Sequence, residues 1–191
     1  MKIGVLALQG AVAEHMRMIE MIGEETVAVK KVEQLEELDG IIIPGGESTT
    51  IGKLMKKYGF DSALVEFSNQ KKPIFGTCAG LIILAKEING TSDTHLALMD
   101  IKVERNAFGR QRESFETNLA IKGVAEDFRA VFIRAPYIME VKNDTEILSI
   151  FDDKIVAARQ GHLLGSAFHP ELTLDPRLHQ YFVEMIKEYR R

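Results

Sequence analysis

The stretch "PIFGTCAGLIIL", residues 73–84, joins two apolar runs through a glycine-flanked turn that carries the chain's one cysteine, Cys78. Pro73–Thr77 reads as a strand buried on both faces, and Gly80–Glu87 as a helix. The pattern G-x-nucleophile-x-G between a strand and a helix describes a turn sharp enough to strain the backbone at its centre. Strand and helix approach closely there, so the neighbours must be small, and Gly76, Ala79 and Gly80 are. Two consequences follow for the thiol. It is lifted beyond the carboxyl end of a strand, where open α/β sheets bind ligands. It also meets a helix N-terminus, whose partial positive charge favours thiolate. A free cysteine is also a common small core residue; the strand–turn–helix context is what argues for chemistry.

Outward from this elbow, the first half of the chain alternates strands and helices. Ile3–Leu8 is an apolar strand. A helix follows from near Gly10, with Val12, Met16, Ile19 and Ile22 at helical spacing and Gly23 as its stop. Thr26–Val29 and Asp39–Ile43 are further strands. A helix runs from the "PGGEST" turn to Tyr58, stopped by Gly59, and a shorter one covers Ser62–Asn69. The second half is a series of β-like runs: Ile101–Glu104, Glu116–Ile121, Ala130–Arg134, Tyr137–Val141, Glu146–Ile150 and Ile155–Gln160. "RQGHLLGSAF" turns around Gly161 between two strands. Asp175 and Pro176 open a last helix, with Leu178, Phe182, Met185 and Tyr189 as its buried stripe. The fold class is therefore α/β: a three-layer open sheet, mostly parallel with an antiparallel extension, helices on both faces. Residues 1–191 form a single domain, a length that can bury a substantial core.

Composition narrows the function. The net charge is −4, from 28 acidic against 24 basic residues, which argues against bulk electrostatic binding to nucleic acid or anionic lipid. A single cysteine rules out an intrachain disulfide and a multi-cysteine zinc site. No metal and no cofactor is expected. No apolar run approaches the ~20 residues needed to span a bilayer. The expected location is the cytoplasm, where a thiol stays reduced.

Acyl transfer by a thiolate needs a base that can return a proton to the leaving group, and donors for the oxyanion. Of five histidines, His15, His95, His162 and His179 fit surface or packing positions. His169 stands apart, because it follows the small-and-apolar run Gly165–Phe168 and precedes Pro170 and Glu171. Pro170 holds the chain extended, residues two apart in an extended segment face the same way, and Glu171 can therefore orient the imidazole. The glycine pair Gly45-Gly46 follows another strand. It is no phosphate loop: five residues, not four, separate Gly46 from Gly52, and Leu54 follows Lys53 where Ser or Thr is required. A backbone N–H of Gly46, with that of Ala79, can instead form an oxyanion hole.

These residues carry a resemblance. Cys78 in G-x-C-x-G, with His169-Pro170-Glu171, resembles the class I (triad) glutamine amidotransferases. The blocks "LALQGAVAEH", "PGGESTT", "GTCAG", "RNAFGRQ", "FIRAP" and "FHPEL", in order along nearly the whole chain, are similar to the glutaminase subunits of pyridoxal 5'-phosphate synthase. The resemblance implies hydrolysis of L-glutamine, with ammonia passed to a separate (β/α)8-barrel synthase subunit in a large hetero-oligomer, and weak activity alone. It assigns Cys78 as nucleophile, His169 as acid/base and Glu171 as orienting carboxylate. Gly46, Glu47, Ser48, Arg105, Ile133 and Arg134 become the glutamine pocket. An arginine suits the substrate carboxylate through paired hydrogen bonds; the alternative for Arg105 and Arg134 is an ordinary ion pair at the sheet edge. The triad does not separate this reading from amidotransferases of purine, histidine or aminobenzoate synthesis, whereas "PGGEST" and "RNAFGRQ" do. A cysteine hydrolase or chaperone of similar architecture would place the acid and histidine differently, and a non-catalytic regulatory subunit would not need an intact triad.

Overall fold

The computed structural model describes residues 1–108 and 113–191. Five strands set the central sheet: β1 (Lys2–Leu6), β2 (Glu25–Val29), β3 (Gly40–Ile43), β4 (Ile74–Thr77) and β12 (Leu163–Ser166). They lie in the order β2-β1-β3-β4-β12, all parallel, with β4 between β3 and β12. β3, β4 and β12 are buried at every residue, which is why they read as continuous apolar runs. Beyond β12 the sheet turns antiparallel through β11 (Lys154–Gln160), β9 (Tyr137–Val141) and β6 (Met99–Glu104). β5 (Ala85–Ile88) closes that edge parallel to β6, and β10 (Glu146–Phe151) pairs with β11 off the main path. A separate antiparallel ribbon, β7 (Ser114–Ile121) with β8 (Ala125–Ile133), completes the strands among the described residues.

Alternation along β4 shows helices on both faces. Phe75 points one way, its ring 5.5 Å from Phe182 of α5 (Arg177–Tyr189). Gly76 points the other way, against the backbone of Gly80 in α4 (Ala79–Leu84). α1 (Val12–Met21) packs beside α5, while α2 (Ser48–Tyr58) packs against α3 (Phe60–Asn69) and α4. The glycines make α4 fit. A Cβ on Gly165, the neighbour of Gly76 across the β4–β12 ladder, would lie 2.5 Å from Leu81. The mostly parallel three-layer sheet expected from the sequence is the one observed.

Several local expectations need correction. The helix after Cys78 ends at Leu84, not Glu87. Ala85 turns extended (ψ 137°), and Ala85–Ile88 pairs with β6 as an edge strand. Lys86 and Glu87 favour a helix, but the ladder and the burial of Ala85 and Ile88 override that preference. In α1 the fully buried positions are His15, Met18 and Ile19, with Val12, Met16 and Ile22 only half-buried. α5 begins one residue later than expected, with Asp175 Oδ1 accepting from the Arg177 N–H at 3.1 Å. Its stripe continues through Val183 and Ile186, leaving Tyr189 40% exposed. Among the described residues, no helix is long and apolar enough to cross a membrane.

Candidate active site

Cys78 sits directly after β4 with φ 51° and ψ −104°, a backbone conformation that L-residues rarely adopt. The strain expected of the elbow is present, and the surroundings hold it in place. The Cys78 N–H donates to Ser166 O at 2.8 Å, which ties the turn to the end of β12. A Cβ on Gly80 would strike the backbone of Ile43 in β3. The thiol is nearly buried, at 7% exposure. It faces Ile133 O at 3.9 Å.

β12 delivers the histidine. After Ser166 the chain passes through Ala167 and Phe168 to His169, whose N–H donates to Val131 O of β8 at 2.8 Å. His169 Nδ1 is 2.7 Å from Glu171 Oε1. The route differs from the extended segment expected: Pro170–Leu172 is a 3-10 turn, and the Leu172 N–H reaches back to His169 O at 3.3 Å. The turn, rather than strand alternation, folds the carboxylate under the ring. The Glu171 side chain is wholly buried. Burial disfavours the charged form of His169, but hydrogen bonding to Cys78 and Glu171 outweighs it, and the pKa rises to about 10. An imidazolium between a thiol and a carboxylate is the arrangement that stabilises a thiolate.

The loop after β3 supplies the opposite wall. A Cβ on Gly45 would lie 2.5 Å from His169 Cε1 and 3.4 Å from Cys78 Cβ, so only glycine lets the ring approach here. A Cβ on Gly46 would crowd Gln9 Oε1 at 2.9 Å and Ile51 Cδ1 at 3.2 Å. Neither glycine has a left-handed φ, so close approach is what each provides here. The Glu47 carboxylate caps α2, accepting from the Thr49 and Thr50 N–H groups at 3.0 and 2.7 Å and from the Thr50 hydroxyl. The Thr50 hydroxyl and these backbone donors outweigh partial burial and lower its pKa to about 2. The Glu47 carboxylate is thus held on the first turn of α2, and the Glu47 N–H donates to Gln9 Oε1 at 2.8 Å.

A cavity of about 460 Å³ opens over Cys78, a size that suits a small molecule. It is lined by Gly46, Glu47, Ser48, Cys78, Ala79, Arg105, Ile133, Arg134 and His169, every residue expected there from the sequence, with Glu171 behind His169. Arg105 Nε is buried without a hydrogen-bond partner among the described residues. No ion pair to Arg105 or Arg134 is seen among those residues. Arg134 holds φ 46°, at the point where β8 ends over the pocket. Gly109, Arg110 and Gln111 of "RNAFGRQ" lie outside the described residues.

Residues 5–188 match the SNO glutamine amidotransferase family. The chain belongs to this family. Among its relatives, pyridoxal 5'-phosphate synthase subunit PdxT of Brevibacillus brevis is 66% identical over 190 residues, covering 100% of both chains. The PdxT subunit of Niallia circulans is 64% identical, again over 100% of each. A solved glutamine amidotransferase superimposes with a TM-score of 0.93 at 48% identity, covering 97% of this chain and 98% of that one.

In this glutamine amidotransferase the pocket also includes Ile82, Asn106 and Pro136, which the sequence did not single out. Behind the site stands a histidine pair that was expected at surface or packing positions. His15 and His179 are both 0% exposed, with His15 Nδ1 2.8 Å from His179 Nε2. The signal was available: His15 precedes Met18 and Ile19 by three and four positions, so it shares their buried face, and a buried polar ring needs partners.

Proposed function

We propose that this chain hydrolyses L-glutamine to L-glutamate and ammonia and delivers the ammonia to a (β/α)8-barrel synthase subunit that makes pyridoxal 5'-phosphate. The carrying observation is the strained Cys78 elbow beside the His169–Glu171 pair, with Cys78 and His169 lining one small-molecule cavity. Near-complete coverage of relatives named as pyridoxal 5'-phosphate synthase subunits supports the pathway.

The chemistry proceeds in two substitutions. The Cys78 thiolate attacks the side-chain amide carbon, and the oxygen takes negative charge facing the Gly46 and Ala79 N–H groups. His169 imidazolium gives its proton to nitrogen as the C–N bond breaks, which releases ammonia and leaves a glutamyl thioester. Water then attacks the thioester, neutral His169 takes its proton, and the thiolate departs with glutamate. Glu171 keeps the imidazole oriented and supports its charge throughout. Ser48, Ile133 and the backbone of Glu47 shape the pocket, while Arg105 and Arg134 meet the substrate carboxylate. Both steps are nucleophilic substitutions that these side chains can carry without a cofactor. The reaction belongs in the cytoplasm, where Cys78 stays reduced.

The test is glutamate release from glutamine, measured on the chain alone and with the barrel synthase. Turnover that rises with the partner and vanishes in Cys78→Ala is expected. Absence of turnover in both arrangements overturns the reading.

A further inference from the structure

Glu171 uses one carboxylate oxygen on His169, at 2.7 Å. Its other oxygen, Oε2, is buried and has no hydrogen-bond partner among the described residues. A buried carboxylate oxygen left without a donor is costly. His15 Nε2 stands 3.5 Å from Oε2 and 3.1 Å from the hydroxyl of Thr77, the residue before Cys78. Catalytic contacts of this length commonly tighten once substrate is bound.

The direction of that contact follows from the ring behind it. Burial, then the neighbouring His179 and His169, push the His15 pKa well below its ordinary value, and burial lowers that of His179 to about 3. Both rings are therefore neutral, and each carries a single N–H. Two tautomer chains satisfy the 2.8 Å bond between them. If His15 Nδ1–H donated to His179 Nε2, the proton of His179 would sit on Nδ1, which is buried with no acceptor among the described residues. His15 would then accept from the Thr77 hydroxyl at Nε2 and offer the Glu171 carboxylate no donor. In the other chain His179 Nε2–H donates to His15 Nδ1, and only a lone pair is left unmet on His179. His15 then directs Nε2–H at Thr77 and Glu171. The second arrangement is favoured at both ends.

We propose that His15 is a positioning residue for glutamine hydrolysis: its Nε2–H steadies the second oxygen of Glu171, and His179 fixes the tautomer that allows this. The inference rests on the role of Glu171 proposed above. It extends the line Cys78–His169–Glu171 through α1 to α5 and gives a helix on the far face of the sheet a part in setting the imidazole.

The experiment compares His15→Phe, which keeps a ring but has no donor, with His15→Gln, whose amide can replace the Nε2–H. Glutamine hydrolysis is measured in the complex with the synthase. We expect His15→Phe to lower kcat by about 10- to 100-fold with KM unchanged, the loss of one hydrogen bond to a charged group. His15→Gln should recover most of it. In parallel, 15N spectra of the histidine rings in the unaltered chain should show both His15 and His179 protonated on Nε2 and bare on Nδ1. Normal kcat in His15→Phe, a Gln variant no better than Phe, or protonation of His15 at Nδ1 would each overturn the proposal. If His15→Phe does not fold, the tautomer spectra decide. If the unaltered complex does not hydrolyse glutamine, the functional reading fails, and the spectra still judge the histidine chain by itself.

Discussion

Substituting Gly45 by alanine adds one carbon at the most crowded point of the site. That carbon would lie 2.5 Å from His169 Cε1 and 3.1 Å from Nδ1. The shorter distance is about 0.9 Å inside ordinary contact, so the ring or the loop must move by nearly that amount. The loop has little room to retreat, because Gly45 O accepts from the Ala11 N–H and lies against Gly10. The ring is the part that yields, and yielding pulls it from Glu171 Oε1, now at 2.7 Å. Backbone conformation adds no further cost, since Gly45 is not in the left-handed region. A misplacement of about 1 Å costs roughly 10²-fold in turnover. Gly45→Ala should therefore lose about two orders of magnitude in kcat, while overpacking lowers stability by about 1–3 kcal/mol. Glutamate release in the complex and denaturant unfolding of the chain measure the two effects. Turnover within a few-fold of normal would refute the claim that Gly45 exists to admit His169.

Other substitutions test the same geometry from different sides. Cys78→Gly should be inactive yet about 1 kcal/mol more stable than Cys78→Ala, because glycine relieves a φ of 51° that alanine retains; equal unfolding midpoints would deny the strain. His169→Asn should abolish nearly all turnover and Glu171→Gln should harm it less, since the amide still accepts from the ring but lacks the charge that supports imidazolium. The reverse order would reassign the pair. Stability should fall as pH drops below 6.5, because burial holds His179 neutral in the fold down to about 3 while the unfolded chain takes up the proton. A flat stability profile between pH 6.5 and 4 would contradict that burial.

The elbow could be read directly from the chain because its physics is local. An apolar run, a glycine, a nucleophile and a second glycine leave few geometries, and the structure adopts the expected one. Gly59 and Gly161 likewise mark their turns through a left-handed φ. What stayed hidden depends on partners distant in sequence. Ala85–Ile88 reads as helix until β6 is present to pair with it. The roles of Gly45 and Gly46 lie in what approaches them, His169 and Gln9, and no local rule names those neighbours. The association of His169 with Glu171 was anticipated on the wrong ground, since a 3-10 turn brings them together. Glu47 was expected to line the pocket and does, but its carboxylate is committed to the first turn of α2.

If Cys78 is the nucleophile, its thiol is bonded to the glutamine side-chain carbonyl carbon during turnover. Acid quenching of the complex during turnover, followed by peptide mass spectrometry, observes that bond. Because Cys78 is the chain's one cysteine, the assignment is unambiguous. A glutamyl adduct is expected on the peptide containing Cys78, present with glutamine, absent with glutamate and removed by hydroxylamine. Steady turnover with Cys78 unmodified, or an adduct on any other residue, would contradict it.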